Sequence, residues 1–221
     1  MKWAIGLAAI AAAGCSAPGA DTASVEKCIP NADRLLALDF AAFDQDPSGG
    51  WRSVGAQAGC EGAIADLIAR YRKSKGKSPE RAKMLEWHEA QARAMAGQTD
   101  RAIKILQHRP DEEKPEAQTY YDEPAALYRD ATIAFLENDR PALVAARARL
   151  AALPEPPDFT ALTSGFRKKF PSSAPPVWPM NLNAVDGLLA CFGKPYRQAY
   201  ASECRPSLRQ AEAVGVTHAN P

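Results

Sequence analysis

Twice in this chain a helical pattern halts for a few residues and then resumes. Ser78-Pro79-Glu80 opens the first unit with a capping serine, a proline in the first turn and an acid near the positive end of the helix. The helix it starts is predicted to reach about residue 96, stop at Gly97, and restart at Thr99 or Asp100 through Ile103, Ile105 and Leu106. The second unit is a helix over about 123–137, carrying Leu127, Tyr128, Ala131, Ile133, Phe135 and Leu136, apolar on most sides and so expected inside. Asn138-Asp139 turns the chain, and Pro141 opens a helix to about residue 153. Connections this short force each pair of helices to lie antiparallel and in contact. The constraint therefore selects a fold of packed helical hairpins.

The remaining sequence agrees with helices. Asn31 caps a predicted first helix to about residue 43, with Leu35, Leu36, Leu38, Phe40 and Phe43 on its apolar side. Residues 44–50 read as a turn by composition. Cys60, Ile64, Leu67, Ile68 and Tyr71 fall on one face of a helix over about 60–73, and Lys73, Lys75 and Lys77 near its end offset the helix dipole. Pro154, Pro156 and Pro157 end the second unit, and Asp158 caps a short helix to about residue 170. The proline-rich stretch 171–179 is irregular; Asn181 then starts a helix that ends at Gly193, and a short one follows over about 195–204. Alternating apolar and polar runs are absent, so the predicted class is all-α.

The amino terminus carries an address. Met1 and Lys2 precede an apolar run over 3–13 and then Gly14-Cys15-Ser16, the grammar of an export signal too short to span a bilayer. A cysteine directly after Ala12-Ala13-Gly14 resembles the lipobox of bacterial lipoproteins, although Ala12 stands where that family prefers leucine. Ordinary cleavage after Ala17 or Ala20 is the alternative. The resemblance implies a signal peptide over 1–14 and a lipid on Cys15, followed by a tether over 15–29, a helical domain over 30–204 and a polar tail over 205–221. Ser16 after the cysteine implies the outer membrane of a Gram-negative envelope, with the body on its periplasmic face.

Export changes the reading of the cysteines. With Cys15 set aside, Cys28, Cys60, Cys191 and Cys204 remain, an even number that predicts disulfides. Of the three pairings, Cys28–Cys60 and Cys191–Cys204 join neighbouring elements and are the expected ones. No C-x-x-C occurs and no histidine lies near these cysteines in sequence, which speaks against zinc and redox roles. The chain has 27 Lys+Arg against 26 Asp+Glu; loss of Lys2 leaves 26 against 26, without the basic excess that nucleic acid binding demands.

The two helical units resemble tetratricopeptide repeats. Ala90, Gly97 and Ala102 match that family's small, turn and small positions, and Ala131 and Asn138 match two of them in the second unit. Leu85 and Trp87 lie near, not on, the usual large positions, Leu143 stands where alanine is usual, and Pro141 is unusual. The step from Ala90 to Ala131 is longer than the family's period of about 34 residues, the excess lying in 109–121. The resemblance covers about 78–153 and implies a right-handed stack of antiparallel hairpins, here stapled by disulfides. An ordinary pair of packed antiparallel helices carries the same pattern. The stretch from Trp178 to Tyr196 is also similar to bacterial exported proteins that bring no activity with them.

No recognisable catalytic set emerges, and no cofactor or metal site is predicted. His88-Glu89 begins like an H-E-x-x-H zinc helix, but Ala92 occupies the second ligand position, and His88 reads as a helix-surface or partly packed residue without a chemical role. His108 suits a helix end and His218 lies in the tail. Thr163-Ser164-Gly165 lacks the flanking glycine of a nucleophile elbow, and Asp111-Glu112-Glu113 reads as a solvated run. The candidate partner-binding residues are Trp51, Tyr120, Tyr121 and Trp178, aromatics at loops or helix starts rather than on a core stripe. The expected function is a membrane-anchored periplasmic scaffold that binds a protein or peptide of the envelope. The rivals are a cell-wall or envelope enzyme whose site assembles only in three dimensions, and a small-molecule binding module.

Overall fold

The computed structural model describes residues 27–54, 59–76, 78–108, 120–171 and 174–205. The expected signal over 1–14, Cys15, all but the last three residues of the expected tether and nearly all of the expected tail lie outside them. Every regular element among the described residues is helical. In chain order these are α1 (Ala32–Ala37), α2 (Glu61–Lys75), α3 (Pro79–Met95), α4 (Thr99–Gln107), α5 (Asp122–Leu136), α6 (Arg140–Ala151), α7 (Phe159–Lys169), α8 (Leu182–Ala190) and α9 (Tyr196–Tyr200), with short π and 3-10 turns at Ala41–Gln45, Gly50–Val54 and Ser202–Cys204.

The two turns that defined the sequence pattern are built alike. After α3, Gly97 takes the left-handed conformation (φ 74), its N–H donates to the Ala94 carbonyl and the Gln98 N–H to that of Arg93. After α5, Asn138 does the same (φ 59), with its N–H to Phe135 and the Asp139 N–H to Ala134. Both are Schellman endings, which satisfy carbonyls that a helix end leaves open. Each restarts within a residue or two, and Asp139 caps α6 by accepting from the Ala142 N–H at 2.9 Å. Ser78 likewise accepts from the Arg81 N–H at 3.3 Å.

The first helix departs from expectation. It ends at Ala37 because Leu38 is extended (ψ 154) and Asp39 starts a new turn, accepting from the Ala42 N–H at 2.8 Å. The carbonyls this break exposes are satisfied from α2: the Tyr71 hydroxyl donates to Leu38, and Lys75 Nζ donates to Ala37 and Leu38, each at 2.9 Å. Asn31, Asp158 and Asn181 start helices without a side-chain capping bond. The segment 195–204 also splits, into α9 and a separate 3-10 turn.

Two cores flank α3. On one side Leu85 and Ala92 meet α1, α2 and Phe43, whose ring stacks on Tyr71 at 3.6 Å. On the other, Ala94, with Trp87 and Met95 at its margin, meets α4, α5, α6, α8 and α9. Ala90, Ala102 and Ala131 are fully buried, as close helix approach requires. Charge locks α2 to α3: Glu89, almost wholly buried, accepts from Arg72 at 2.9 Å and Arg93 at 3.3 Å, while Arg72 also reaches Glu86 and Arg93 reaches Asp66. Disulfides join Cys28 to Cys60 and Cys191 to Cys204, one beside each core.

Candidate functional site

The two Schellman turns open at the same place. Gly97 and Thr99 from the α3–α4 turn, Asn138 from the α5–α6 turn, and Gly193 through Gln198 from the link between α8 and α9 surround a cleft of about 500 Å³. Its apolar lining comes from Met95, Phe135, Leu136 and Tyr196, the residues that precede or follow these turns. Lys194 and Arg197 stand on its wall, and no acidic residue lines it among the described residues. Arg197 is held by an ion pair with Glu61 of α2. Burial pushes the Tyr196 hydroxyl well above the ordinary tyrosine range, so this group is neutral at any physiological pH.

A second constellation lies in the interior. The Asp44 carboxylate is fully buried, and its Oδ1 accepts from Trp51 Nε1 at 3.0 Å and pairs with His88 Nδ1 at 2.7 Å. Oδ2 accepts from Gln45 Nε2 at 2.6 Å. The Arg52 guanidinium donates to the Asp44 carbonyl, stacks over the Trp51 ring at 4.1 Å, and lies 3.3 Å from His88 Nε2. Each ring nitrogen of His88 therefore has a partner, the Asp44 carboxylate at Nδ1 and the Arg52 guanidinium at Nε2. Burial alone raises a carboxyl pKa, but the hydrogen bond and electrostatic attraction of His88, then the hydrogen bond from Trp51 and the charge of Arg52, outweigh it and hold Asp44 below its usual value.

An aspartate–histidine pair invites a catalytic reading, yet both ring nitrogens are engaged and neither Asp44, Trp51, Arg52 nor His88 lines the cleft. What the cluster does is fasten residues 44–54 to α3. Sequence reasoning left His88 as a helix-surface or partly packed residue and missed its partner. Asp44 lay in a segment read as a turn and sits far away in sequence, and no local signal links the two.

The aromatic candidates divide into separate places. Trp51 belongs to the buried cluster. Tyr121 and Trp178 come together, with ring centroids 6.4 Å apart, and Trp178 packs on Phe159 at 5.4 Å. Trp178 Nε1 donates to the Leu153 carbonyl and the Tyr121 hydroxyl donates to Asp158, so both hold the start of α7. Tyr120 beside them is 68% exposed. None of the four lines the cleft. Among the described residues no group of three or more His, Cys, Asp and Glu is placed to hold a metal ion, and no helix is long and apolar enough to cross a membrane. No protein-family profile matches the chain, and neither a curated protein nor a solved structure is significantly similar to it.

Proposed function

We propose that this chain is an envelope-anchored helical scaffold that binds a protein or peptide segment in the cleft between its helix turns. The cleft itself carries the reading. Its volume of about 500 Å³ falls in the range of ligand sites, and it is walled by helix ends fixed in one conformation by Schellman bonds. Met95, Phe135 and Leu136 offer an apolar floor beside the cationic Lys194. The matching occupant is an apolar side chain next to a carboxylate. The twice-used turn and the buried Ala90, Ala102 and Ala131 support a tetratricopeptide-like stack, an architecture that binds segments in its grooves. The Gly14-Cys15 junction supports a lipid on Cys15, attachment to the outer membrane and a periplasmic body. The enzyme alternative has its tightest carboxylate–histidine pair among the described residues in Asp44 and His88, which offers no free ring nitrogen to a substrate.

The test places a photo-crosslinking residue at Thr99 or Leu136 in the cleft, and at Lys104 outside it, in living cells. A partner peptide captured from the cleft positions is then titrated against the purified chain. Leu136→Asp should weaken that binding about tenfold or more. Equal capture from Lys104, or unchanged affinity in Leu136→Asp, overturns the reading.

A further inference from the structure

Arg205 is held in place three times over and meets no carboxylate. Cys204, directly before it, is tied to Cys191 by a disulfide. Gly187 of α8 makes room for its stem, since a Cβ there would lie 2.9 Å from Arg205 Cγ. Its guanidinium stacks over the Tyr200 ring at 4.1 Å. Yet Arg205 forms no ion pair and no hydrogen bond among the described residues, and its Nε is buried without an acceptor. A cation kept for packing alone has its donors in water or on an acid, because a buried N–H without a partner is costly.

The groups around this donor are hydroxyls and an amide. Tyr196 and Tyr200 lie one turn apart on α9 with their rings stacked, centroids 5.5 Å apart. Tyr196 is 4% exposed, and its hydroxyl lies beside Tyr128 of α5 and Gln91 of α3 without completing a hydrogen bond of ordinary geometry. The Tyr128 hydroxyl, also buried, accepts from the Gln91 amide at 3.2 Å. Burial holds the Tyr128 and Tyr196 hydroxyls well above the ordinary tyrosine range, so both keep their protons as neutral donors, and the charge of Arg205 acts on both. Two orphaned polar atoms, Arg205 Nε and the Tyr196 hydroxyl, therefore border one corner of α3, α5 and α9. A guanidinium edge offers Nε–H and a neighbouring Nη–H in parallel, the spacing of the two oxygens of a planar carboxylate, and a hydroxyl adds a third donor. A phosphate dianion costs more to desolvate on the buried side of that edge.

We propose that Arg205, Tyr196 and Tyr200 form a carboxylate-binding site at this corner, with the Nε–Nη edge of Arg205 as a bidentate clamp and a tyrosine hydroxyl as the third donor. The site shares Tyr196 with the wall of the cleft but stands whether or not a peptide enters the cleft.

The test follows the Arg205 Nε–H signal by proton–nitrogen NMR in the full chain carrying Cys15→Ser. The signal is assigned by its loss in Arg205→Gln, and sodium acetate replaces sodium chloride at constant ionic strength. It should move saturably, and acetate at ten times the resulting Kd should shift the unfolding equilibrium about tenfold towards the folded protein. Tyr196→Phe keeps the ring and should weaken acetate binding about fivefold or more, the worth of one hydrogen bond. Arg205→Gln should abolish the acetate effect on unfolding, whereas Arg149→Gln, at an exposed arginine of α6, should respond like the parent. N-acetylglutamate α-amide, in which only the side-chain carboxylate remains, binds as well as acetate if the source is a peptide and fails to bind if it is a free anion. No saturable movement of the Nε–H signal, an equal acetate effect in Arg205→Gln, or tighter binding of inorganic phosphate than of acetate overturns the proposal.

Discussion

Replacing His88 by alanine should destabilise the protein. The imidazole is 12% exposed and gives the fully buried Asp44 carboxylate its shortest contact from outside the 44–54 segment, at 2.7 Å. A hydrogen bond to a charged acceptor contributes about 1.5–3 kcal/mol. Loss of the ring contact with Trp51, centroids 5.2 Å apart, adds about 1 kcal/mol at most. Asp44 keeps the bonds from Trp51 and Gln45, so it is not left bare. His88→Ala should therefore lose about 2–4 kcal/mol in urea unfolding under non-reducing conditions. A double-mutant cycle with Asp44→Asn should return a coupling of about 1.5–3 kcal/mol. The pH dependence follows from the same contacts. The folded carboxyl titrates below its unfolded value of about 3.9, so its stabilisation is complete above that pH and is lost as pH falls through the lower folded value. Asp44→Asn should flatten that part of the acid limb. A loss under about 0.5 kcal/mol in His88→Ala, or a coupling near zero, would refute the reasoning. Loss of a biological activity with unchanged stability would instead reopen the enzyme reading.

Gly50→Ala and Gly97→Ala should differ sharply, although both glycines have positive φ. A Cβ on Gly97 meets nothing within 4 Å and costs only about 1 kcal/mol of backbone strain, whereas one on Gly50 would lie 1.9 Å from the Phe43 carbonyl oxygen and should lower thermal stability by several times as much. Closing loops of 32 and 13 residues, the Cys28–Cys60 and Cys191–Cys204 bonds should contribute about 3.7 and about 3 kcal/mol in the chain-entropy reading, measurable by unfolding the paired serine variants. Cys15→Ser should move the protein from the detergent phase to the aqueous phase and abolish fatty-acid labelling; identical partitioning of parent and variant would end the lipoprotein reading.

The sequence was most legible where one residue decides a local conformation. Gly97 and Asn138 announced the turns, Ser78 the cap of α3, and the local spacing of four cysteines the two bridges. It was least legible where the deciding partner is remote. The end of α1 depends on Tyr71 and Lys75 accepting the role of a cap from a different helix. The Asp44–His88 pair spans the chain from a loop to α3, and the cleft needs three turns from distant segments to converge. The aromatics chosen as contact residues share a bias towards loops and helix starts, but burial sorts them. Trp51 satisfies a carboxylate and Trp178 a carbonyl, demands that composition does not reveal.

Because α3 is the wall between two cores, the chain divides naturally at the segment between α2 and α3. A fragment ending after α2 would keep the Cys28–Cys60 bridge, and the remainder would keep Cys191–Cys204, so each half retains its own staple. The surface exposed by such a cut is the Leu85–Ala92 face of α3, edged by Glu86, Glu89 and Arg93 opposite Arg72 and Asp66. That is a hydrophobic patch with its own charge code. Two separately produced halves should recognise each other through it, and the scaffold lends itself to reconstitution as a split protein whose reassembly can be tuned by salt.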